Sequence, residues 1–148
     1  MKKVLLINGS PNEKGCTALA LEEIASTLKK RGIESDIKQI GKKPVAGCIA
    51  CYSCARTGRC AFNDSVNEMI ESLDSYGALV VGSPVYYGSA TGQICCLLDR
   101  LFFAGGRLMD GKVGACVVSC RRGGASAAFD RLNKYFLMNN MPLASSQY

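Results

Sequence analysis

Apolar residues fall in two kinds of block along this chain. Some are short unbroken runs; others recur every three or four positions. The run Val4 to Ile7 lies inside a first expected strand, residues 2–8. Residues 16–31 then place Leu19, Leu21, Ile24, Ala25 and Leu28 near helical spacing, and Gly32 is a natural stop. Residues 33–40 alternate in the manner of an edge strand. Residues 41–63 are rich in cysteine and glycine and read as a loop. Asp64 is placed to cap a helix over residues 65–75, whose Val66, Met69, Ile70 and Leu73 share one face. Residues 77–82 form a continuous apolar strand, as expected where both faces of a sheet are covered. A loop over 83–88 leads into a helix over 89–103 that is apolar on most of its surface and is closed by Gly105 and Gly106. Val113–Ser119 reads as a fourth strand, 121–124 as a loop, 125–138 as a helix and 141–147 as a fifth strand.

Strands alternating with helices imply parallel pairing through right-handed crossovers. There is no repeat, linker or low-complexity segment, so residues 1–148 read as a single domain. The expected architecture is a three-layer α/β fold with a parallel five-stranded sheet in the order 2-1-3-4-5. In that order a ligand sits beyond the carboxyl ends of the strands, near the first and third. Such a fold normally closes with a helix after the fifth strand, and that last helix is missing from a chain ending at Tyr148. The first helix is therefore expected to cover its sheet face nearly alone, with either the chain cut short or another subunit filling the gap. Leu97, Leu98, Leu101, Phe102 and Phe103 exceed what one buried helix face needs, which suggests a subunit contact in a homodimer or homotetramer.

Composition narrows the chemistry. The chain has 148 residues, 48% hydrophobic, enough for one real core. A net charge of +6 without a long basic run fits anionic small ligands and does not call for nucleic acid. The apolar run after Lys2 and Lys3 is too short for a secretory signal, and no stretch is long enough to span a membrane. The expected location is the cytoplasm. Nine cysteines in that setting read as metal, cluster or redox thiols. Histidine is absent, which excludes Ser–His and Cys–His nucleophiles and His-ligated metals.

Three loops carry the candidate chemistry. The first, I-N-G-S-P-N-E-K-G-C-T from Ile7 to Thr17, joins a strand to a helix N-terminus and offers Ser10, Asn12 and Thr17 as short polar side chains. Backbone N–H groups and a helix dipole converging there suit a phosphate; the alternative is a plain strand-to-helix turn. The P-loop pattern fails, because Gly9 and Gly15 are one residue too far apart and Cys16 stands where its lysine belongs. The dinucleotide pattern G-x-G-x-x-G is also absent. The second loop is S-P-V-Y-Y-G, Ser83 to Gly88, and the third is S-C-R-R-G-G, Ser119 to Gly124. Cys116 to Arg122 spells C-x5-R, but Cys116 lies within a strand and no Ser or Thr follows the arginine, so a phosphatase loop is not indicated. Cys48, Cys51, Cys54 and Cys60 form C-x2-C-x2-C-x5-C, a spacing more compact than structural zinc sites and closer to the runs that hold cubane clusters.

Together these loops resemble the flavodoxin-like NADPH-dependent FMN reductase family, and within it the iron–sulfur flavoproteins, over nearly the whole chain. The resemblance implies FMN, with Ser10, Asn12, Cys16 and Thr17 at its phosphate. Pro84, Val85, Tyr86, Tyr87 and Gly88 would line the isoalloxazine edge, and Ser119, Arg121, Gly123 and Gly124 the other side of the ring. Glycines let backbone approach a flat ring closely, and an arginine such as Arg121 can stabilise the negative charge of reduced flavin. Plain packing for Tyr86 and Tyr87, and a solvated pair for Arg121 and Arg122, are the alternatives. Asp99 and Arg100 read as a structural or interface pair. The resemblance also implies that Cys48, Cys51, Cys54 and Cys60 hold a [4Fe–4S] cluster close to a neighbouring subunit's flavin. Related reductases keep similar cysteines as plain thiols, so both states stay open here, with zinc as a third. Cys95, Cys96, Cys116 and Cys120 read as core residues.

The implied function is an oxidoreductase that takes electrons from NAD(P)H through FMN to a small-molecule or protein acceptor, by way of the cluster where one forms. No catalytic side chain is needed, because the flavin carries the chemistry. A non-catalytic flavin and iron–sulfur electron-transfer protein is the alternative, and a flavin-free thiol or metal sensor is a third reading.

Overall fold

The apolar runs at the centre of the sequence become the centre of the sheet. β1 (Lys3–Asn8) and β3 (Tyr76–Tyr86) run side by side and parallel in a computed structural model that describes residues 2–145. Both sheet faces are covered there, and Leu5, Leu6, Ile7, Leu79 and Val81 are fully buried. β2 (Ser35–Gln39) pairs with the other edge of β1, and β5 (Val113–Ser119) with the far edge of β3, all in parallel. Beyond β5, Leu143 bridges Gly114 in parallel: the Gly114 N–H donates to the Pro142 carbonyl at 2.9 Å and the Ala144 N–H to the Gly114 carbonyl at 2.9 Å. The long strands thus stand in the expected order, with Leu143 marking the fifth place. Residues 146 and 147 of the expected fifth strand lie outside the described residues.

Helix α1 (Cys16–Lys30) packs on one face over Val4, Leu6 and Val80. It ends as Gly32 enters the left-handed region at φ 73°, with the Ile33 N–H donating to the Leu28 carbonyl at 3.0 Å. Among the described residues it is the only helix on that face, and Ala78, Ala115 and Val117 beneath it are only partly buried. The other face carries α3 (Ser65–Ser72), α4 (Gly92–Gly105) and α5 (Ala125–Leu137) around a larger core that includes Leu73, Leu97, Leu101, Leu132 and Phe136. The Asp64 carboxylate accepts the Val66 N–H at 3.1 Å, so the expected cap is formed. Leu101 is fully buried; Leu101→Ala is expected to cost about 3 kcal/mol, read as a lower urea midpoint at unchanged slope. No helix among the described residues is long and apolar enough to cross a membrane.

Several expectations need correction. The third strand does not stop at Gly82; it runs to Tyr86 and turns back as the two-residue strand β4 (Ser89–Ala90). Tyr87 and Gly88 both have positive φ, 50° and 75°, the backbone of a two-residue hairpin turn. The helix expected from residue 89 therefore starts only at Gly92, capped by Thr91. The 41–63 loop contains one short helix, α2 (Ser53–Thr57). Leu19 faces solvent although it fits the helical spacing. Leu97, Leu98, Leu101 and Phe102 are buried within this chain, leaving only Phe103 of that group exposed, so α4 itself does not demand a partner. Asp99 and Arg100 part company: Tyr135 Oη donates to Asp99 Oδ1 at 2.5 Å, while Arg100 turns inward to Asp64.

Candidate functional site

The first loop leaves β1 under tight control. Asn8, 1% exposed, donates through Nδ2 to Gln39 Oε1 at 2.6 Å and accepts the Ser10 N–H at 3.0 Å through Oδ1. Gln39 Nε2 donates in turn to the Ser10 carbonyl. Gly9 passes so close to its neighbours that a Cβ there would lie 2.8 Å from the Gly82 carbonyl oxygen and 2.8 Å from Ile94 Cβ. Its N–H donates to that carbonyl at 2.7 Å, and its own carbonyl accepts Thr91 Oγ1 at 2.8 Å. The loop is then folded by its own side chains. The Asn12 N–H donates to Ser10 Oγ at 3.1 Å and the Lys14 N–H to Asn12 Oδ1 at 3.1 Å. Ser10 and Thr17 are buried, whereas Asn12 and Cys16 are exposed. No side chain caps the start of α1 and no acidic residue lies in its first turn, which leaves the positive end of that helix open to an anion.

The other two loops meet this one. Thr17 Oγ1 and Ser119 Oγ are 2.8 Å apart, linking α1 to the end of β5. Gly88 and Gly124 bring the second and third loops into backbone contact: a Cβ on Gly124 would lie 2.7 Å from Gly88 Cα and 3.0 Å from Val85 Cγ1. Gly124 has φ 87° and starts α5, again without a side-chain cap. Pro84 and Val85 are half-buried in β3; Tyr86 and Tyr87 are exposed, Tyr87 wholly so. Arg121 and Gly123 are exposed on the third loop. The three expected segments therefore converge at the carboxyl ends of β1, β3 and β5. The Ser83 hydroxyl accepts the Thr91 N–H at 3.0 Å, and with Asn8, Gln39 and Thr91 it makes up a clasp that the sequence pattern does not announce. Three of them, Asn8, Ser83 and Thr91, are buried polar residues at strand or helix ends, and polarity amid apolar neighbours was the available signal.

A second site lies against Arg100, Phe103 and Ala104 of α4. Cys48, Cys51, Cys54 and Cys60 all line one small pocket, whose remaining walls are largely apolar, including Ile49, Phe62 and Phe103. Arg100 also reaches this pocket, and its Nε donates to Cys60 Sγ at 3.1 Å. Among the described residues no three Cys, Asp or Glu side chains stand close enough to hold a single metal ion. Asp64 is held below the usual carboxylate range, first by its hydrogen bonds from Arg100.

The remaining thiols differ from expectation. Cys120 is exposed and not core, while Cys95, Cys96 and Cys116 are half-buried. Burial pushes the Cys116 thiol up to about 11. It therefore stays protonated at neutral pH and is a poor nucleophile. Outside the 48–60 loop, Cys16 and Cys120 are expected to react first with iodoacetamide at pH 8, and Cys116 at least about tenfold more slowly by peptide mass mapping.

The sequence matches the family described as NADPH-dependent FMN reductase over residues 2–148. An iron–sulfur flavoprotein of Methanocaldococcus jannaschii is 31% identical over 142 residues, covering 94% of this chain and 74% of that protein. One from Archaeoglobus fulgidus is 36% identical over 139 residues, covering 91% of this chain and 68% of the relative. Among solved structures, the NAD(P)H:quinone oxidoreductase of Methanothermobacter marburgensis superposes with a TM-score of 0.77 at 13% identity, over 99% of this chain and 82% of that one. An apo NADH:FMN oxidoreductase superposes with a TM-score of 0.66 at 19% identity, over 99% of this chain and 74% of the other. At such identities the superpositions speak for the flavodoxin-like fold alone. With the matched profile and the relatives above 30%, the chain belongs to the NADPH-dependent FMN reductase family, close to its iron–sulfur flavoproteins, and is an FMN-dependent oxidoreductase of that class.

Proposed function

We propose that the three converging loops hold FMN, and that the protein uses it to pass electrons from NAD(P)H to an acceptor by way of a [4Fe–4S] cluster in the cysteine pocket. The observation that carries the flavin site is the closure of the loops on one another, through Thr17 with Ser119 and Gly88 with Gly124. The chemistry supplied by a flavin held there would be acceptance of hydride from a nicotinamide and release of electrons singly or in pairs.

The chain's own residues bind and orient. The uncapped start of α1, with Ser10, Asn12, Cys16 and Thr17 around it, receives the phosphate; the helix dipole and neutral donors supply the attraction. Pro84, Val85, Tyr86, Tyr87 and Gly88 would line one edge of a bound ring. Ser119, Arg121, Gly123 and Gly124 would line the other, where Arg121 would offer positive charge to the reduced ring. No side chain acts as an acid or base.

The cysteine pocket fits a cluster by its donor set: four thiols, apolar walls and one buried cation. Nine free thiols agree with a reducing cytoplasm. The same reading includes a homodimer or homotetramer. Its support is the exposed apolar pair Phe103 and Met138 lining the groove between α4 and α5. A monomer in light scattering at micromolar concentration would count against that part.

The functional test is anaerobic NADPH oxidation by the FMN-loaded protein with an artificial electron acceptor. Turnover that requires FMN is expected. A flavin that stays oxidised in NADPH, yet reduces reversibly with dithionite, contradicts the enzyme reading and favours a carrier.

A further inference from the structure

Arg100 is the one charged side chain among the described residues that is fully buried, at 1% exposure. It projects from α4, and each of its bonds goes to the segment that carries the cysteines. Nη1 donates to Asp64 Oδ2 at 2.7 Å and to the Ala46 carbonyl at 3.3 Å; Nη2 donates to Asp64 Oδ1 at 2.7 Å. The guanidinium carbon lies 4.9 Å from the centre of the Phe62 ring. The third nitrogen, Nε, donates to Cys60 Sγ at 3.1 Å.

Asp64 alone would balance the charge, so the aim of Nε at sulfur calls for its own explanation. A neutral thiol is a weak acceptor, whereas a thiolate is a charged one. The backbone of Cys60 is fixed as carefully as its side chain. Asn67, 3% exposed on α3, accepts the Cys60 N–H at 2.8 Å and donates to the carbonyls of Cys60 and Phe62 at 3.0 and 2.9 Å. Cys60 is the outlying member of the motif, separated from Cys54 by five intervening residues, and it needs such placement to join three cysteines on a compact run.

We infer that Arg100 is a positioning residue that directs an N–H and a positive charge at the sulfur of Cys60, and so sets the reduction potential of a cluster held there. This rests on the cluster reading above. One-electron reduction adds one negative charge to the cluster and its thiolates. The electron comes from reduced flavin or, in the experiment, from dithionite, and no proton moves or bond breaks. Hydrogen bonds to the sulfurs and nearby positive charge stabilise the reduced form and raise the potential. Asp64 and Asn67 orient Arg100 and Cys60 and act only through them.

The experiment compares wild type, Arg100→Lys and Asp64→Asn, each purified anaerobically and reconstituted with iron and sulfide. Lysine keeps the charge, but its single ammonium does not reproduce the planar fork that reaches Asp64 and Cys60 together. Asp64→Asn weakens the same clasp while leaving Nε on the sulfur. FMN content reports folding, iron and sulfide content report the cluster, and an EPR-monitored dithionite titration reads the midpoint. The expected result is a more negative midpoint in Arg100→Lys and an unchanged or more positive one in Asp64→Asn. A midpoint unchanged in Arg100→Lys, or lowered equally in both variants, overturns the assignment. Should Arg100→Lys not fold, a lowered midpoint in Asp64→Asn overturns it and an unchanged or raised one supports it. A folded wild type that takes up no iron overturns the cluster reading, and the assignment with it.

Discussion

Gly124→Ala is expected to weaken FMN binding by more than about tenfold, over 1.4 kcal/mol, and to lower stability by about 3 kcal/mol. Two penalties act together. Gly124 has φ 87°, a region that costs a residue with a side chain on the order of 1 kcal/mol. The added Cβ would also stand 2.7 Å from Gly88 Cα, which is backbone and has no rotamer to escape through. Relief requires the second and third loops to separate, which widens the proposed ring slot. Gly92→Ala is the control, since it lies outside the three loops and a Cβ there meets nothing within 4 Å. Thermal melts and FMN fluorescence quenching measure both effects. A Gly124→Ala protein with wild-type melting and FMN affinity would show that these loops do not need to touch.

The second large effect concerns the cysteine pocket. Cys51→Ser is expected to reduce iron from about four per chain to less than one after anaerobic reconstitution, with FMN content unchanged. Serine keeps the size of the side chain but lacks the soft thiolate that iron–sulfur clusters require. Cys51 lines the pocket with Cys48, Cys54 and Cys60, whereas Cys120 is exposed at the end of β5 and serves as control. Cys120→Ser should keep its iron. Equal iron in wild type and Cys51→Ser, or loss of FMN together with iron, would contradict two separate sites.

The parts of this fold that were legible in the sequence are those with a local cause. Val113–Ser119 is without a charged residue and apolar up to its closing serine, and is a strand over those same residues. Asp64 precedes a helix-spaced face and caps it. What was misread depends on distant partners. Ser83 to Tyr86 looks like loop because of Pro84 and the nearby Gly88, yet it continues β3 beside β5 as far as Pro84 with Ser119, and beyond that pairs with β4 across a turn lacking the usual Asn-Gly. Periodicity also does not reveal that most of the apolar surface of α4 is buried within the chain itself, leaving Phe103 of that group exposed. At the site, the glycine and serine loops were found from spacing, but the bonds that close them were not. Thr17 and Ser119 are 102 positions apart, and nothing in either segment points to the other. Adjacency in sequence suggests a pair of Arg100 with Asp99, whereas consecutive helical residues diverge and the partner is Asp64.

The most direct measurement is a titration of the purified, folded protein with FMN and, separately, with riboflavin, followed by quenching of flavin fluorescence. With the phosphate seated at the start of α1, FMN should bind at micromolar concentration or tighter and riboflavin at least about tenfold more weakly. A well-folded sample that quenches neither flavin, or binds both alike, would contradict a flavin anchored in these three loops.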